Sequence, residues 1–469
     1  MKILVINIAL RPNPKLIMLP LGLGYVVSAI KRAGFGFDLL DLDAHPHPPE
    51  ITEKYLRTHR YDMVAMGCIV TGYKYVKWLS RIIKDAFPDT TIIVGNTVAQ
   101  SIPDILLTRT DSDVAVMGEG DEVIVQLLQR LSNTTDLQGI KGIRYRKNNK
   151  IIQNMPQPLI EDINQIPFPD WDLFDAEVYI QSLSKSIHEP WPPIPPDKIR
   201  AMLINTARGC LFKCTFCYHI FRDHKYRWRS PQSIITEMRY YVQHYGANYF
   251  AFNDELTFFS VKQAEAFADA LIASGLEVWW SADCRSGLFT RDEHLSVIHK
   301  LKNAGCLALS FSLESADPEI LKWMKKKASV QDFSRQVKLL RQGGIASHTS
   351  LVFGYPLETE QTIKATIDVC IANEIYPSAG YLLPQPGSPM YDYAVEHGYI
   401  QDEETYLLAL GDRQDLRFNM TKLSDEQFIG TVERELARCN QELGMELKDG
   451  GLLKTGFYRS KEVQDPPVI

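Results

Sequence analysis

Short apolar runs alternate with amphipathic stretches from the first residue to about position 145. KILVINI, FDLLDLD, YDMVAMGCIVT, TTIIVGN and DVAVMGEG are dense in large aliphatic residues and predict strands. Between them, PLGLGYVVSAIKRAG stops at Gly34 and YKYVKWLSRIIKDAFP is closed by Pro88, both with helical spacing. Near-continuous apolar strands, separated by helices, predict a parallel sheet covered on both faces. Such a sheet binds ligands beyond the carboxyl ends of its strands. Here those ends are the loops Ala9–Pro20, Asp43–Pro49, Cys68–Tyr73, Gly95–Gln100 and Gly118–Asp121.

The pattern then breaks. Residues 146–195 hold IPFPDWDLFD and EPWPPIPPDK, whose prolines forbid helix interiors and favour extended backbone. From 196 the β–α alternation resumes through AMLINTARG, YFAFNDE, EVWWSADCR, CLALSFSLES, ASHTSLVFGYP and SAGYLLPQP. Six such steps predict a partial (β/α) barrel, with its chemistry at the carboxyl ends of the strands. The expected fold class is therefore α/β. A doubly wound parallel sheet covers 1–145, a proline-rich connector 146–195, the barrel 196–395, and a small helical, polar unit 396–469.

Composition narrows the class. The 469 residues carry a formal net charge of -6, which gives no general attraction to nucleic acid or anionic lipid. No apolar run is long enough to cross a bilayer, and the N-terminus reads as a buried first strand, not a signal peptide. Of eight cysteines, Cys68, Cys284, Cys306, Cys370 and Cys439 are isolated, which predicts a reducing, cytoplasmic setting without disulfides.

The other three fall in ARGCLFKCTFCYH as Cys210, Cys214 and Cys217, spaced C-x3-C-x2-C after the first barrel strand. A structural zinc site takes four ligands, so a zinc reading needs His219 or His224 to join them. A 4Fe–4S cluster held by three thiolates keeps one iron open to a substrate. Both readings stand on spacing alone, beside coincidence.

The spacing, with aromatic Phe216 before the last cysteine, resembles the signature of radical S-adenosylmethionine (SAM) enzymes. The resemblance implies an oxygen-sensitive cluster on the three cysteines whose open iron chelates SAM. One electron then cleaves SAM to methionine and a 5′-deoxyadenosyl radical, which abstracts hydrogen from an unactivated carbon. Further segments match in order. FNDELTF offers Asp254 and Glu255 for the SAM amine, with helix capping as the plain role of Asp254. WSADCRSG offers Arg285 for a carboxylate, or for an ordinary salt bridge. FSLESADPEILKWMKK brings Glu314 and Ser315 toward the ribose. VFGYPLET, with Gly354, packs on the adenine, and LPQPGSPMYDYAVEHG closes the barrel.

The N-terminal domain resembles that of the cobalamin-binding, methyltransferase-like subclass, through PLGLGYVVSAIKRAG, VAMGCIVTG, IIVGN and VMGEGDE. This implies cofactor contacts from Cys68, Thr71, Gly95, Gly118 and Glu119. The family's double glycine reads Gly95-Asn96 here, and there is no D-x-H-x-x-G motif to mark a lower cobalt ligand. His45 and His47 read as plain loop residues. The implied activity is cobalamin-dependent methylation of an unactivated carbon in a small-molecule, lipid or natural-product substrate, with a reductase, flavodoxin or ferredoxin as electron donor. The alternatives are cyclisation, ring contraction or oxidation by the same machinery, or a non-catalytic cobalamin or metal sensor.

Four remaining features have plain readings. Cys284 reads as a small buried hydrophobe. HKYRWRS reads as a surface lead-in to a helix near Pro231, with a phosphate or RNA grip as the alternative. Lys325–Lys327 suit a helix C-terminus. Trp171 and Trp191 line a substrate cavity or pack between domains.

Overall fold

The structure is a computed structural model that describes residues 1–9, 16–134, 136–148, 150–187, 190–411, 413–448 and 451–453. The N-terminal strands are β1 (Ile3–Asn7), β2 (Asp38–Asp41), β3 (Met63–Gly67), β4 (Thr91–Gly95), β5 (Val114–Val116), β6 (Ile143–Lys147) and β7 (Lys150–Gln153). They form one sheet in the order β2-β1-β3-β4-β5-β6-β7. The first five run parallel, and β6 and β7 add antiparallel to one edge. Every residue of β1 is buried, and four of its five are aliphatic, as expected when helices cover both faces. The strand order reverses between β1 and β3, which opens a crevice at their carboxyl ends.

The connector is a packed bridge. Trp171 is fully buried, and a Cβ added at Gly24 would meet its ring at 2.5 Å. Its Nε1 donates to Tyr241 Oη at 3.1 Å, on the helix Pro231–Tyr245 of the second half. Tyr179, also fully buried, donates to Asp41 at the end of β2 at 2.9 Å. Trp191 is 41% exposed.

The second half carries β8 (Ala201–Ile204), β9 (Ala207–Arg208), β10 (Arg227–Trp228), β11 (Tyr249–Phe252), β12 (Trp279–Asp283), β13 (Cys306–Ser310), β14 (Ala346–His348), β15 (Ser350–Phe353) and β16 (Ser378–Tyr381). A parallel sheet runs β14-β13-β12-β11-β8, and β15 pairs parallel with β16. Thr349 separates β14 from β15, so ASHTSLVF is one strand broken in the middle. A parallel bridge from Glu314 to Leu351 carries the curve past the break. These strands form the open six-step barrel, with β9 and β10 as a separate antiparallel ribbon. At the C-terminal end, the helix Asp425–Glu442 packs on Glu360–Ala372, where Arg438 reaches Asp368 at 2.6 Å. Residues 454–469 of the expected helical unit lie outside the described residues. Among the described residues, no helix is long and apolar enough to cross a membrane.

Candidate active site

The loop of residues 209–226 leaves from β9 and returns to β10. Cys210, Cys214 and Cys217 on it all border one cavity of about 1150 Å³ at the carboxyl ends of the barrel strands. The loop is shaped from inside by Arg222, whose guanidinium donates to the carbonyls of Cys214 and Cys217 at 2.7 Å each. It is fixed from outside by Thr215, whose N–H donates to Met324 O at 2.9 Å. Cys217 is open to the cavity yet lies deep in it, and burial pushes its thiol up to about 12. Burial also raises the thiols of Cys210 and Cys214, against the opposing charge of Lys326.

Among the described residues, no three His, Cys, Asp or Glu side chains converge tightly enough to grip a single ion. His219 Nδ1 is buried without a partner, and desolvation lowers its imidazole to about 4. His224 is exposed. Neither His219 nor His224 lines the cavity that the three cysteines border, so the zinc reading lacks its fourth ligand there. Three thiols spread along one cavity wall instead suit a polynuclear group in which each metal takes one protein ligand.

The rest of the wall is polar. Glu255, Arg285 and Glu314 line it, and Phe216 flanks the cysteines. Three buried atoms here lack partners: Arg285 Nε, Ser286 Oγ and Glu314 Oε2. Buried polar atoms are normally paired, so these call for a ligand with both acceptors and donors. An amino acid carboxylate and ribose hydroxyls supply that combination. Glu314 has φ +65, a conformation that costs a non-glycine residue and is held here by the surrounding structure. Its other oxygen pairs with Lys326 Nζ at 3.2 Å. Burial works against the Lys326 charge, but the Glu314 carboxylate and the neighbouring thiols outweigh it and raise its pKa.

Asp254 differs from its neighbour Glu255. Its carboxylate accepts from Asn205 Nδ2 (2.8 Å), Thr206 N (2.7 Å), Thr206 Oγ1 (2.5 Å), Ala207 N (3.0 Å) and Thr257 Oγ1 (2.8 Å). Burial still lifts it to about 6. These bonds staple the segment between β8 and β9, with no helix to cap. Ser315 is buried, and its Oγ accepts from Asp317 N at 3.2 Å. Gly354 faces Leu382 and Phe428, with φ +117. Neither Ser315 nor Gly354 borders the cavity.

Two cavity residues escaped sequence reasoning. Asp283 ends β12 opposite Ser310 of β13, and both face the cavity. Burial, then the charge of Asp254, pushes the Asp283 carboxyl up to about 7. Lys326 is the other. A strand-alternation count from Arg285 would have found Asp283, because residues two apart share a face.

A second cavity, of about 430 Å³, lies at the carboxyl ends of β3, β4 and β5. Gly95, Gly118 and Glu119 line it. Cβ atoms added at Gly22, Gly95 and Gly118 would meet nothing within 4 Å, so these backbones border open space. Asn96 takes φ +68, so the residue in place of the family's second glycine adopts the left-handed form that asparagine tolerates best. Cys68, buried, and Thr71 lie outside this lining. His45 pairs with Asp175 at 3.3 Å and also lies outside it. The cavity extends to Arg208 and Phe221 beside the cysteine loop, and it shares Asn253 and Glu255 with the larger cavity.

The family model of the B12 binding domain matches residues 9–128, and that of the Radical SAM superfamily matches 204–370. The two matches together support a cobalamin-dependent radical SAM family for this chain. Its cofactors are accordingly a 4Fe–4S cluster, SAM and cobalamin. This radical SAM protein is 26% identical over 385 residues to the uncharacterized methyltransferase PH0819 of Pyrococcus horikoshii, covering 81% of this chain and 79% of that one. It is 27% identical over 357 residues to the anaerobic magnesium-protoporphyrin IX monomethyl ester cyclase of Rubrivivax gelatinosus, covering 74% of this chain and 61% of that one. The fold matches that of the radical SAM methyltransferase TsrM from Kitasatospora setae, solved with cobalamin and a 4Fe–4S cluster bound. The TM-score is 0.65 at 18% identity, over 84% of this chain and 78% of that one.

Proposed function

We propose that this radical SAM protein methylates an unactivated carbon of a small molecule, with cobalamin as the methyl carrier. The observation that carries the reading is the shared wall: Asn253 and Glu255 border both cavities, so a group held by the N-terminal domain opens onto the space faced by the three cysteines. Cys210, Cys214 and Cys217 would hold the cluster. Arg285 would grip the SAM carboxylate, Glu255 the amine and Glu314 the ribose, while Asp254 positions the strand ends around them. Gly95, Gly118 and Asn96 would cradle the nucleotide arm of cobalamin. When bound, the cluster supplies an electron to SAM and cobalamin supplies a transferable methyl group.

The remaining wall of the larger cavity selects the substrate. Its apolar part is formed by Leu183, Ile187 and Pro190 of the connector, Tyr376, and Met445 and Leu447 near the C-terminal end, beside the polar Ser186, Lys327, His348 and Glu374. These side chains suit a partly apolar molecule.

Relatives named as methyltransferases and as cyclases both occur, so a second reading keeps the radical chemistry without methyl transfer. S-adenosylhomocysteine separates the two. Reconstituted protein with reduced cobalamin, given SAM anaerobically, should form about one S-adenosylhomocysteine per chain before any substrate is added. Formation of 5′-deoxyadenosine with no S-adenosylhomocysteine would move the assignment to the second reading.

A further inference from the structure

Four charges meet where the two halves of the molecule touch. Glu119 comes from the loop after β5, Asp121 from the first turn of the helix Gly120–Leu131 that follows, and Arg208 and Arg227 from β9 and β10. Glu119 is buried to 2% side-chain exposure, Arg227 to 7% and Arg208 to 10%. Arg208 Nη1 donates to Glu119 Oε1 at 2.5 Å and to Asp121 Oδ2 at 3.3 Å. Arg227 Nη1 donates to both Glu119 oxygens at 3.0 Å and to Ile160 O at 2.5 Å. Ile160 N–H closes the ring onto Glu119 Oε2 at 2.7 Å.

The placement of the two arginines matters more than their number. Arg208 and Arg227 stand opposite each other in the β9–β10 ribbon. They are the two residues from which the cysteine loop, 209–226, departs and to which it returns. One carboxylate of the N-terminal domain thus grips both legs of that loop at the base. The guanidiniums also pack outward from the clamp: Arg208 lies over the Tyr25 ring at 5.2 Å, and Arg227 over Phe221, inside the loop, at 5.0 Å. Glu119 is also the residue before the helix Gly120–Leu131, and it lines the smaller cavity with Gly118, Gly120 and Asp121. A ligand in that cavity would border the segment that holds the clamp.

We propose that Glu119 is a positioning residue that locks the base of the cysteine loop from the N-terminal domain, and that occupancy of the N-terminal cavity is transmitted through it to the loop. The first half needs no cofactor. The second rests on the reading that the cavity takes cobalamin. Linkage makes the coupling reciprocal: a loop ordered by its cluster should tighten the hold on the cavity's ligand, and the reverse.

The test is amide hydrogen exchange on the cluster-free full chain, wild type against Glu119→Gln, with and without hydroxocobalamin. Loss of the carboxylate charge leaves the buried Arg227 without a carboxylate partner and Arg208 with Asp121 alone, so exchange across 209–226 should speed at least about tenfold, while β1 and β3 keep their wild-type rates. Hydroxocobalamin should slow exchange across 209–226 in the wild type and not in the variant. Unchanged exchange in 209–226, or an equal rise in every strand, overturns the clamp. Equal slowing by hydroxocobalamin in both proteins overturns the transmission. If hydroxocobalamin shifts neither its own visible spectrum nor exchange in Gly120–Leu131, the cobalamin reading fails and the transmission with it, and the clamp is still judged by the ligand-free comparison. Should Glu119→Gln not fold, Arg208→Lys keeps the charge but loses the two-acceptor grip. It should give the same local pattern at a few-fold, and its absence overturns the clamp.

Discussion

Lys325, Lys326 and Lys327 are adjacent, and the sequence offers one reading for all three. Lys325 and Lys327 are exposed, as a helix-end reading requires, but Lys326 turns into the cavity and pairs with Glu314. Lys325 has φ +52, and that local turn decides which of the three points inward. No periodicity could have chosen among them. Spacing singled out the cysteines and the family resemblance singled out Arg285 and Glu314, and all five border one cavity. Asp283 becomes legible only once Arg285 is placed, because residues two apart on a strand share a face. It carries a pH prediction. Its folded pKa of about 7 lies above the usual 3.8, so the folded protein binds the extra proton between those values. Its share of stability is therefore full below pH 4 and falls as pH rises through 7. The ionised form, which favours a cationic ligand, appears over the same range. SAM should bind reconstituted protein about tenfold more tightly at pH 8 than at pH 6, and Asp283→Asn should flatten that dependence, as read by equilibrium dialysis. A wild-type profile already flat would remove Asp283 from the site. Cys214→Ala should lose most of its iron and all 5′-deoxyadenosine formation, whereas Cys68→Ala, buried away from both cavities, should keep its iron.

Long, uniformly apolar strands and amphipathic helices were legible because burial on both faces leaves no other composition. Short elements were not. The strands β9 and β10 have two residues each and no periodicity to read. HKYRWRS, expected as a surface lead-in, does precede a helix that starts at Pro231, yet Arg227 and Arg229 within it are buried. Arg229 pairs with Glu237, as Arg227 does with Glu119. Buried arginines look like surface arginines in sequence, because only the partners differ. The helix Pro49–Thr58 also follows a proline-rich stretch that reads as loop, since Pro49 sits where a first turn tolerates it. The two connector tryptophans give a clean contrast. Trp171→Ala should cost about 3–5 kcal/mol in the first transition of a urea unfolding curve, because a fully buried indole and its hydrogen bond are lost. Trp191→Ala, at a half-open position, should stay within about 0.5 kcal/mol. Equal effects would mean that the connector does not bridge the halves through Trp171.

At the scale of the molecule, two domains that each have a recognisable pattern meet so that their carboxyl-end cavities share Asn253 and Glu255. The order of the domains was legible. Their meeting was not, because it depends on side chains such as Trp171, Tyr179 and Glu119 that bond across segments far apart in the chain. The connector and the C-terminal segment complete the larger cavity, and their lining residues follow no repeating pattern. The central claim is that the two cavities serve one reaction centre with three cofactors. The most direct measurement is iron and cobalt content after anaerobic reconstitution with hydroxocobalamin, read together with 5′-deoxyadenosine formation from SAM under reduction. About four irons and one cobalt per chain, with SAM cleavage, is the predicted result. Zinc in place of iron, with no SAM cleavage, would contradict it.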